Sequence, residues 1–313
     1  MSYAEPPIVI DDLHFAYEDT PVLQGITLAI PAGKLSTILG VSGCGKSTLL
    51  KLIGGQLKPQ RGEVRLFGQS VHHLEVDALY ALRRRIGMMF QAGGLFSDLT
   101  VFDNVAFPLR ELTDLSEALI RDLVHLKLEA VGLRGAAALM PAELSGGMSR
   151  RVALARAIAL DPPLLIYDEP FAGLDPISLG VVARLIRRLG DALGATSIVV
   201  TYDVSESLAL ADHAFFLHQG RIVAEGEAGA MVQKIRGSGL ARDWGGRTGD
   251  NRRDPGAAAT SLADGFVRQF VQALPDGPVA FHHAAVDYAF DLRLPPRQSQ
   301  PDEHGVGART RCV

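Results

Sequence analysis

Cysteine is nearly absent from this 313-residue chain, which has only Cys44 and Cys312 and a single tryptophan. Two thiols so far apart form neither a disulfide framework nor a thiolate metal site, and a reducing compartment suits them. The histidine pairs His72-His73 and His282-His283 have no cysteine or acidic partners at ligand spacing, so they are expected in surface loops. Positive charge is not in excess: 31 basic side chains face 35 acidic ones, for a net charge of -4. No global field draws such a surface to nucleic acid or anionic lipid, and any membrane association is expected to run through a protein partner. The sequence also lacks a run of about 18 apolar residues and an N-terminal basic stretch followed by an apolar one. It is therefore expected neither to span a membrane nor to carry a secretory signal of that kind.

What is plentiful is apolar content, 47% of the residues. That is enough for a sizeable core in one large domain or two smaller ones. The octet Gly40-Val41-Ser42-Gly43-Cys44-Gly45-Lys46-Ser47 stands between a strand-like run at 35–39 and a helix-like run at 48–53. Its glycines let the backbone turn so tightly that successive N–H groups face one anion, and the helix that follows adds its positive N-terminal dipole. This predicts a phosphate-binding loop, with the backbone from Gly40 to Thr48 around the phosphates. Lys46 is expected to reach the β- and γ-phosphates and the Ser47 hydroxyl to take one place on Mg²⁺, so the expected ligand is ATP with Mg²⁺. Cys44, close to a helix N-terminus and a lysine, is expected to have its thiolate favoured and to react with thiol reagents.

Upstream of the loop, residues 8–10, 13–16 and 22–30 alternate in the manner of antiparallel strands. Tyr17 lies between them, where its ring could stack on a nucleotide base. Downstream, Gln91 closes a strand-like run at 86–90 beside Ala92-Gly93-Gly94 and is a candidate sensor of Mg²⁺ and the γ-phosphate. The pattern then turns helical from 103 to 133, with Ser116 as the expected N-cap and Leu119, Leu123, Leu126 and Ala130 as the apolar stripe. This predicts a helical insertion at about residues 92–160 of an α/β core. Leu144-Ser145-Gly146-Gly147-Met148 opens a further helix carrying Arg150, Arg151 and Arg156, and its serine and glycines make a second anion site on the same principle.

Residues 164–167 form a continuous apolar run, as in a strand buried on both faces, and end in Asp168-Glu169. Two adjacent acids there cost desolvation unless a cation or a reaction uses them. Asp168 is expected to hold Mg²⁺ and Glu169 to orient and deprotonate the attacking water. Residues 197–201 predict another buried strand ending at Tyr202-Asp203, and His218-Gln219-Gly220 the turn of a hairpin. After Lys234 the composition shifts to Gly, Arg, Asp and Ala, so 235–261 reads as a flexible linker. Leu262, Phe266, Phe270 and Leu274 mark a helical stripe within 262–294, and 295–313 reads as a polar tail.

In order and approximate spacing, the loop, Gln91, Leu144-Ser145-Gly146-Gly147, Asp168-Glu169 and Gly173-Leu174-Asp175 resemble an ATP-binding cassette (ABC) ATPase, over roughly residues 8 to 230. The resemblance implies an α/β P-loop NTPase fold with a RecA-like core, an antiparallel β subdomain and a helical subdomain, inside an ATPase domain at 1–234. It also implies a homodimer in which ATP on Lys46 of one cassette is gripped by Ser145 and Gly147 of the other, with Gly146 and Asp175 joining the nucleotide site. Tyr202 stands where the family usually has a histidine that contacts the γ-phosphate, and Met148 replaces the usual glutamine. A phenol donates one hydrogen bond and carries no positive charge at neutral pH, so slow but real hydrolysis is expected.

The stretches Phe90-Gln91-Ala92-Gly93-Gly94-Leu95-Phe96 and Val101-Phe102-Asp103-Asn104-Val105-Ala106-Phe107-Pro108-Leu109-Arg110-Glu111, with Leu144-Ser145-Gly146-Gly147-Met148, are similar to the ATPase subunit of the Mla-type phospholipid transporter of Gram-negative envelopes. Residues 267–292 resemble that subunit's C-terminal extension. This implies an integral membrane permease, an MCE-domain lipid-binding protein and a small STAS-domain regulator as partners, with no nucleic acid. It further implies a place on the cytoplasmic face of the inner membrane, permease helices seated on residues 95–108, and residues 262–294 packed on the partner subunit. The alternatives are a cassette importing another solute, such as an amino acid, and a soluble ABC ATPase acting on DNA or ribosomes. The latter usually carries a long coiled coil or two cassettes in one chain, and neither heptads nor a second phosphate loop is present.

Overall fold

The computed structural model describes residues 5–237 apart from Ala92. The expectations for the linker beyond 237, for the 262–294 extension and for the tail fall outside these residues. Strands β1 (Ile8–Tyr17) and β2 (Thr20–Ile30) are followed by β3 (Leu35–Leu39), α1 (Lys46–Ile53), β4 (Arg61–Leu66) and β5 (Gln69–Ser70). Next come α2 (Val76–Arg83), β6 (Ile86–Met89), and the consecutive helices α3 (Val101–Leu112), α4 (Glu117–Ala130) and α5 (Gly146–Ala157). The chain continues through β7 (Leu164–Asp168), α6 (Pro176–Leu193), β8 (Thr196–Thr201), α7 (Val204–Leu210), β9 (His213–His218), β10 (Arg221–Glu227) and α8 (Ala228–Gly237). Helix α8 runs through Gly237, so the linker boundary expected after Lys234 falls inside a helix.

Alternating apolar residues put Ile8, Ile10, Leu13, Ile26, Ile30 and Val64 on the buried side of an antiparallel sheet ordered β2-β1-β4-β5. The two strand segments expected at 8–10 and 13–16 form one strand with a register shift between them. Asp12 sits there at φ 42, and a Cβ on Gly62 would lie 2.2 Å from the Asp12 carbonyl oxygen, so glycine is required for the close approach.

The second sheet is ordered β10-β9-β3-β8-β7-β6. Its strands from β9 to β6 pair in parallel, and β10 returns antiparallel through the expected hairpin. Every residue of β3 and of β8 is buried, which explains their unbroken apolar and small-residue character. In such a sheet the carboxyl ends of the strands gather at one edge, where ligands bind. The phosphate loop follows β3, Gln91 follows β6, Glu169 follows β7 and Tyr202 follows β8, so the chain's chemistry shares that edge.

Helices α3 to α5 form the expected insertion, with no strand between β6 and β7 among the described residues. Ser116 is the N-cap of α4, its side chain accepting from the Leu119 N–H. The apolar stripe is corrected: Ile120, Val124 and Leu128 are buried, while Leu119 and Leu126 are 44% and 61% exposed. The sequence of α4 holds two overlapping stripes offset by one residue, and packing against α3 and α5 selects the second.

At the start of α3, fully buried Asn104 anchors the loop before it. Its Oδ1 accepts from the Phe96 N–H at 2.8 Å, and its Nδ2 faces the carbonyls of Phe96, Leu99 and Thr100 at 3.0 to 3.1 Å. Asn104→Ala leaves those backbone groups unpaired and is expected to cost about 3 kcal/mol in urea unfolding. Asn104→Asp, which cannot donate to carbonyls at neutral pH, is expected to do no better.

Candidate nucleotide site

The loop between β3 and α1 is shaped by contacts from both sheets. A Cβ on Gly40 would lie 2.5 Å from Cys44 Sγ and 2.5 Å from the Leu217 carbonyl oxygen of β9. Gly45, at φ 112, approaches Leu23 of β2 so closely that a Cβ would sit 2.7 Å from its Cδ2. This second contact ties the loop to the hairpin that carries Tyr17. Gly45 is also the N-cap of α1 and offers no side-chain cap, which leaves the first-turn amides available to an anion.

Lys46 is buried beneath this loop. Its Nζ donates to the carbonyls of Gly40 at 2.7 Å and Val41 at 3.2 Å, and lies 3.6 Å from Glu169 Oε1. Glu169 adopts a left-handed φ of 47, donates its N–H to the Val200 carbonyl at 2.8 Å, and accepts at Oε2 from the Tyr202 N–H at 3.4 Å. A glutamate in that backbone region is strained, and β8 holds it there.

Asp168 ends β7 beside this pair. Burial pushes its carboxyl pKa up and the charge of Glu169 adds to that, while Lys46 pulls the other way. A divalent cation would reverse the penalty on the ionised form. No three His, Cys, Asp or Glu side chains gather as a metal cage among the described residues. The donors present fit Mg²⁺ all the same, because that ion takes one or two protein ligands and completes its shell with phosphate oxygens and water. Ser47 and Asp168 would hold it, and when bound it would neutralise charge on the phosphates.

Cys44 corrects an expectation. It is 7% exposed, and burial pushes its thiol pKa up, with Lys46 only partly opposing. The loop faces Cys44 inward under Gly40, so desolvation outweighs the neighbouring ammonium.

The remaining candidates divide into two groups. Gln91 is exposed at the turn after β6, whose Met89 pairs with Tyr167, so it lies at the same sheet edge as Asp168. Tyr202 is 52% exposed beside Glu169, and Tyr17 is 43% exposed with its ring edge-on to Phe15 at 4.9 Å. Ser145, Gly146, Gly147 and Asp175 form the second group, which no hydrogen bond or ion pair joins to residues 40–48 among the described residues. Ser145 caps α5, accepting from the Met148 N–H at 3.2 Å. Gly147 lies against Ser178 of α6, where a Cβ would come within 2.7 Å of Oγ. The Asp175 carboxylate caps α6, accepting from the N–H groups of Ile177 and Ser178 at 3.0 Å each. Ser178 also holds the Asp175 pKa below the usual carboxylate value.

Sequence reasoning missed part of the surface beyond Gln91. Phe90, Phe96, Phe107, Leu112, Met88 and Arg156 line a groove of about 420 Å³. Its aromatics were legible as apolar residues, but Met88 and Arg156 come from other elements, and only the fold brings them there.

A protein-family model described as ABC transporter matches residues 23–172. The intermembrane phospholipid transport system ATP-binding protein MlaF of Haemophilus influenzae is 48% identical over 285 residues, covering 91% of this chain and 97% of that protein. This chain belongs to the ABC transporter ATP-binding proteins. MlaF of Escherichia coli K12 is 47% identical over 281 residues, covering 90% of this chain and 94% of its own. Among solved structures, the dimeric ATP-binding cassette MJ0796, in a post-hydrolysis state bound to ADP and Pi, aligns with a TM-score of 0.65 at 30% identity, over 71% of this chain and 98% of that one. The chain is an ABC-type ATPase with the α/β cassette fold.

Because burial disfavours its thiolate, Cys44 of the native cassette is expected to alkylate with iodoacetamide at least tenfold more slowly at pH 8 than in the urea-unfolded chain. The rate is expected to rise only above the ordinary thiol pKa of about 8.5. Mass spectrometry of the Cys44 peptide measures both.

Proposed function

We propose that this cassette hydrolyses ATP as the motor subunit of a system that moves phospholipid between the inner and outer membranes of a Gram-negative envelope, on the cytoplasmic face of the inner membrane. The observation that carries this is the 47% to 48% identity to two MlaF proteins across some nine-tenths of the chain, well beyond the stretch matched by the general ABC transporter model. In this reading Glu169 orients and deprotonates the attacking water, Lys46 moves from the loop carbonyls to the β- and γ-phosphates, and the α1 amides cradle them. Ser47, Asp168 and Gln91 would hold Mg²⁺, and Tyr17 would stack on the base. A second copy closes the site head to tail with Ser145, Gly146, Gly147 and Asp175.

The groove lined by Phe90, Phe96, Phe107 and Leu112 supports docking of a permease: it is mostly apolar with Arg83, Arg84 and Arg156 in its walls, open at the surface, and continuous with the segment after Gln91. An MCE-domain protein and a small STAS-domain regulator complete the proposed assembly. Detergent extraction of the tagged full chain is expected to bring down an integral membrane permease with bound phospholipid. Recovery of a permease bound instead to an amino acid or another polar solute would replace the lipid reading with solute import.

Two variants test the chemistry. Glu169→Gln keeps the shape but not the base, and is expected to lower kcat by about 10²-fold or more while still binding ATP. Tyr202→His restores a side chain that can carry positive charge toward the γ-phosphate and is expected to raise kcat several-fold; an unchanged rate would mean that position 202 is uncoupled from the chemistry.

A further inference from the structure

Arg150 of α5 is only 7% exposed although it carries a full charge. Its Nη2 donates to the Ala172 carbonyl at 3.0 Å, and its Nη1 has no hydrogen-bond partner among the described residues. Burial holds its pKa below the ordinary guanidinium value. A buried cation without a carboxylate is poor packing, and an unbranched apolar side chain of similar length would fill the same space at less cost. What arginine adds is the tether to Ala172.

That tether leads to the catalytic carboxylate. The Ala172 N–H donates to the Glu169 carbonyl at 3.3 Å, so a single residue lies between the guanidinium and the Glu169 backbone. Glu169 in turn stands at a left-handed φ of 47, with its carboxylate 3.6 Å from Lys46 Nζ. A backbone held in so narrow a region responds to a small shift of its neighbours by changing the direction of its side chain. At its other end, Arg150 sits one helical turn after Gly146, in the helix capped by Ser145.

We propose that Arg150 is a positioning residue that links the N-terminus of α5, which grips the nucleotide of the second copy, to Glu169 of its own subunit. It rests on the head-to-tail pairing described above. Occupancy of the partner's site then fixes α5, Arg150 fixes Ala172, and Ala172 sets the backbone from which Glu169 addresses water. Each site reports to the other through a guanidinium and one residue. Arg151 provides the contrast, because it donates to the Val131 carbonyl at 3.1 Å at the end of α4 and leads away from Glu169.

The test uses the full-length chain with its copurified membrane partner, following hydrolysis against ATP concentration and thermal unfolding for Arg150→Met, Arg150→Lys and Arg151→Met. Wild type is expected to give a Hill coefficient approaching 2. Arg150→Met is expected to keep or raise the Tm, lower kcat tenfold or more with KM within about twofold, and bring the Hill coefficient to 1. Arg150→Lys, which keeps one donor and carries the test if the methionine variant does not fold, is expected to recover part of kcat. Arg151→Met is expected to retain the wild-type curve. Arg150→Met retaining both kcat and cooperativity would overturn the proposal, as would equal losses in the Arg150 and Arg151 variants that follow their Tm. An active wild type with a Hill coefficient of 1 overturns the coupling and leaves the transport reading standing, whereas a wild type without hydrolysis sinks both.

Discussion

The site depends on a buried ammonium held between its own loop and a glutamate. Lys46 can lie under the backbone only because Gly40 lets the chain turn against the Leu217 carbonyl, leaving the Gly40 and Val41 carbonyls to accept from Nζ. Such a charge is tolerable away from water when hydrogen bonds and a counter-charge surround it, and Glu169 supplies the latter at 3.6 Å. The same contact brings the proposed phosphate-binding cation and the proposed base together at one sheet edge. Each of them is oriented by backbone: Lys46 by the loop, and Glu169 by the bond from its N–H to Val200.

Helix α5 ties this edge to the rest of the molecule. Its first turn carries Ser145 and the two glycines, Arg150 reaches Ala172, and Arg156 donates to the Gly93 carbonyl at 2.9 Å in the segment after Gln91. The last of these sits beside the apolar groove, over the Phe96 ring. One rigid element therefore touches the segment after Gln91, the segment after Glu169 and the surface proposed to meet a second copy. That is the arrangement a motor subunit needs if docking outside is to be felt at the chemistry.

Much of this is legible in the sequence. Gly40 to Ser47 announces a phosphate loop because its glycines, lysine and serine fall at offsets only that loop requires, and the apolar run into Asp168-Glu169 announces a buried parallel strand with functional acids. The hairpin at His218-Gln219-Gly220 was equally plain from the strand-like runs on either side of it, and Gln219 and Gly220 do take positive φ there, at 46 and 73. Asp175 was legible only as part of a motif. Its work as the cap of α6 could have been read from the Pro176 that follows it at the first helical position.

The sequence by itself determined the phosphate loop, the buried strands and the chemical types gathered at their ends, because local periodicity and glycine placement act over a few residues. Only the tertiary structure decided which of two overlapping stripes α4 buries, that Cys44 points inward and holds on to its proton, and that Arg150 reaches Ala172. Each of these turns on neighbours far away along the chain. The rotation of a helix about its own axis and the water left around a thiol or a guanidinium are set by what packs against them, and no short window of sequence contains that.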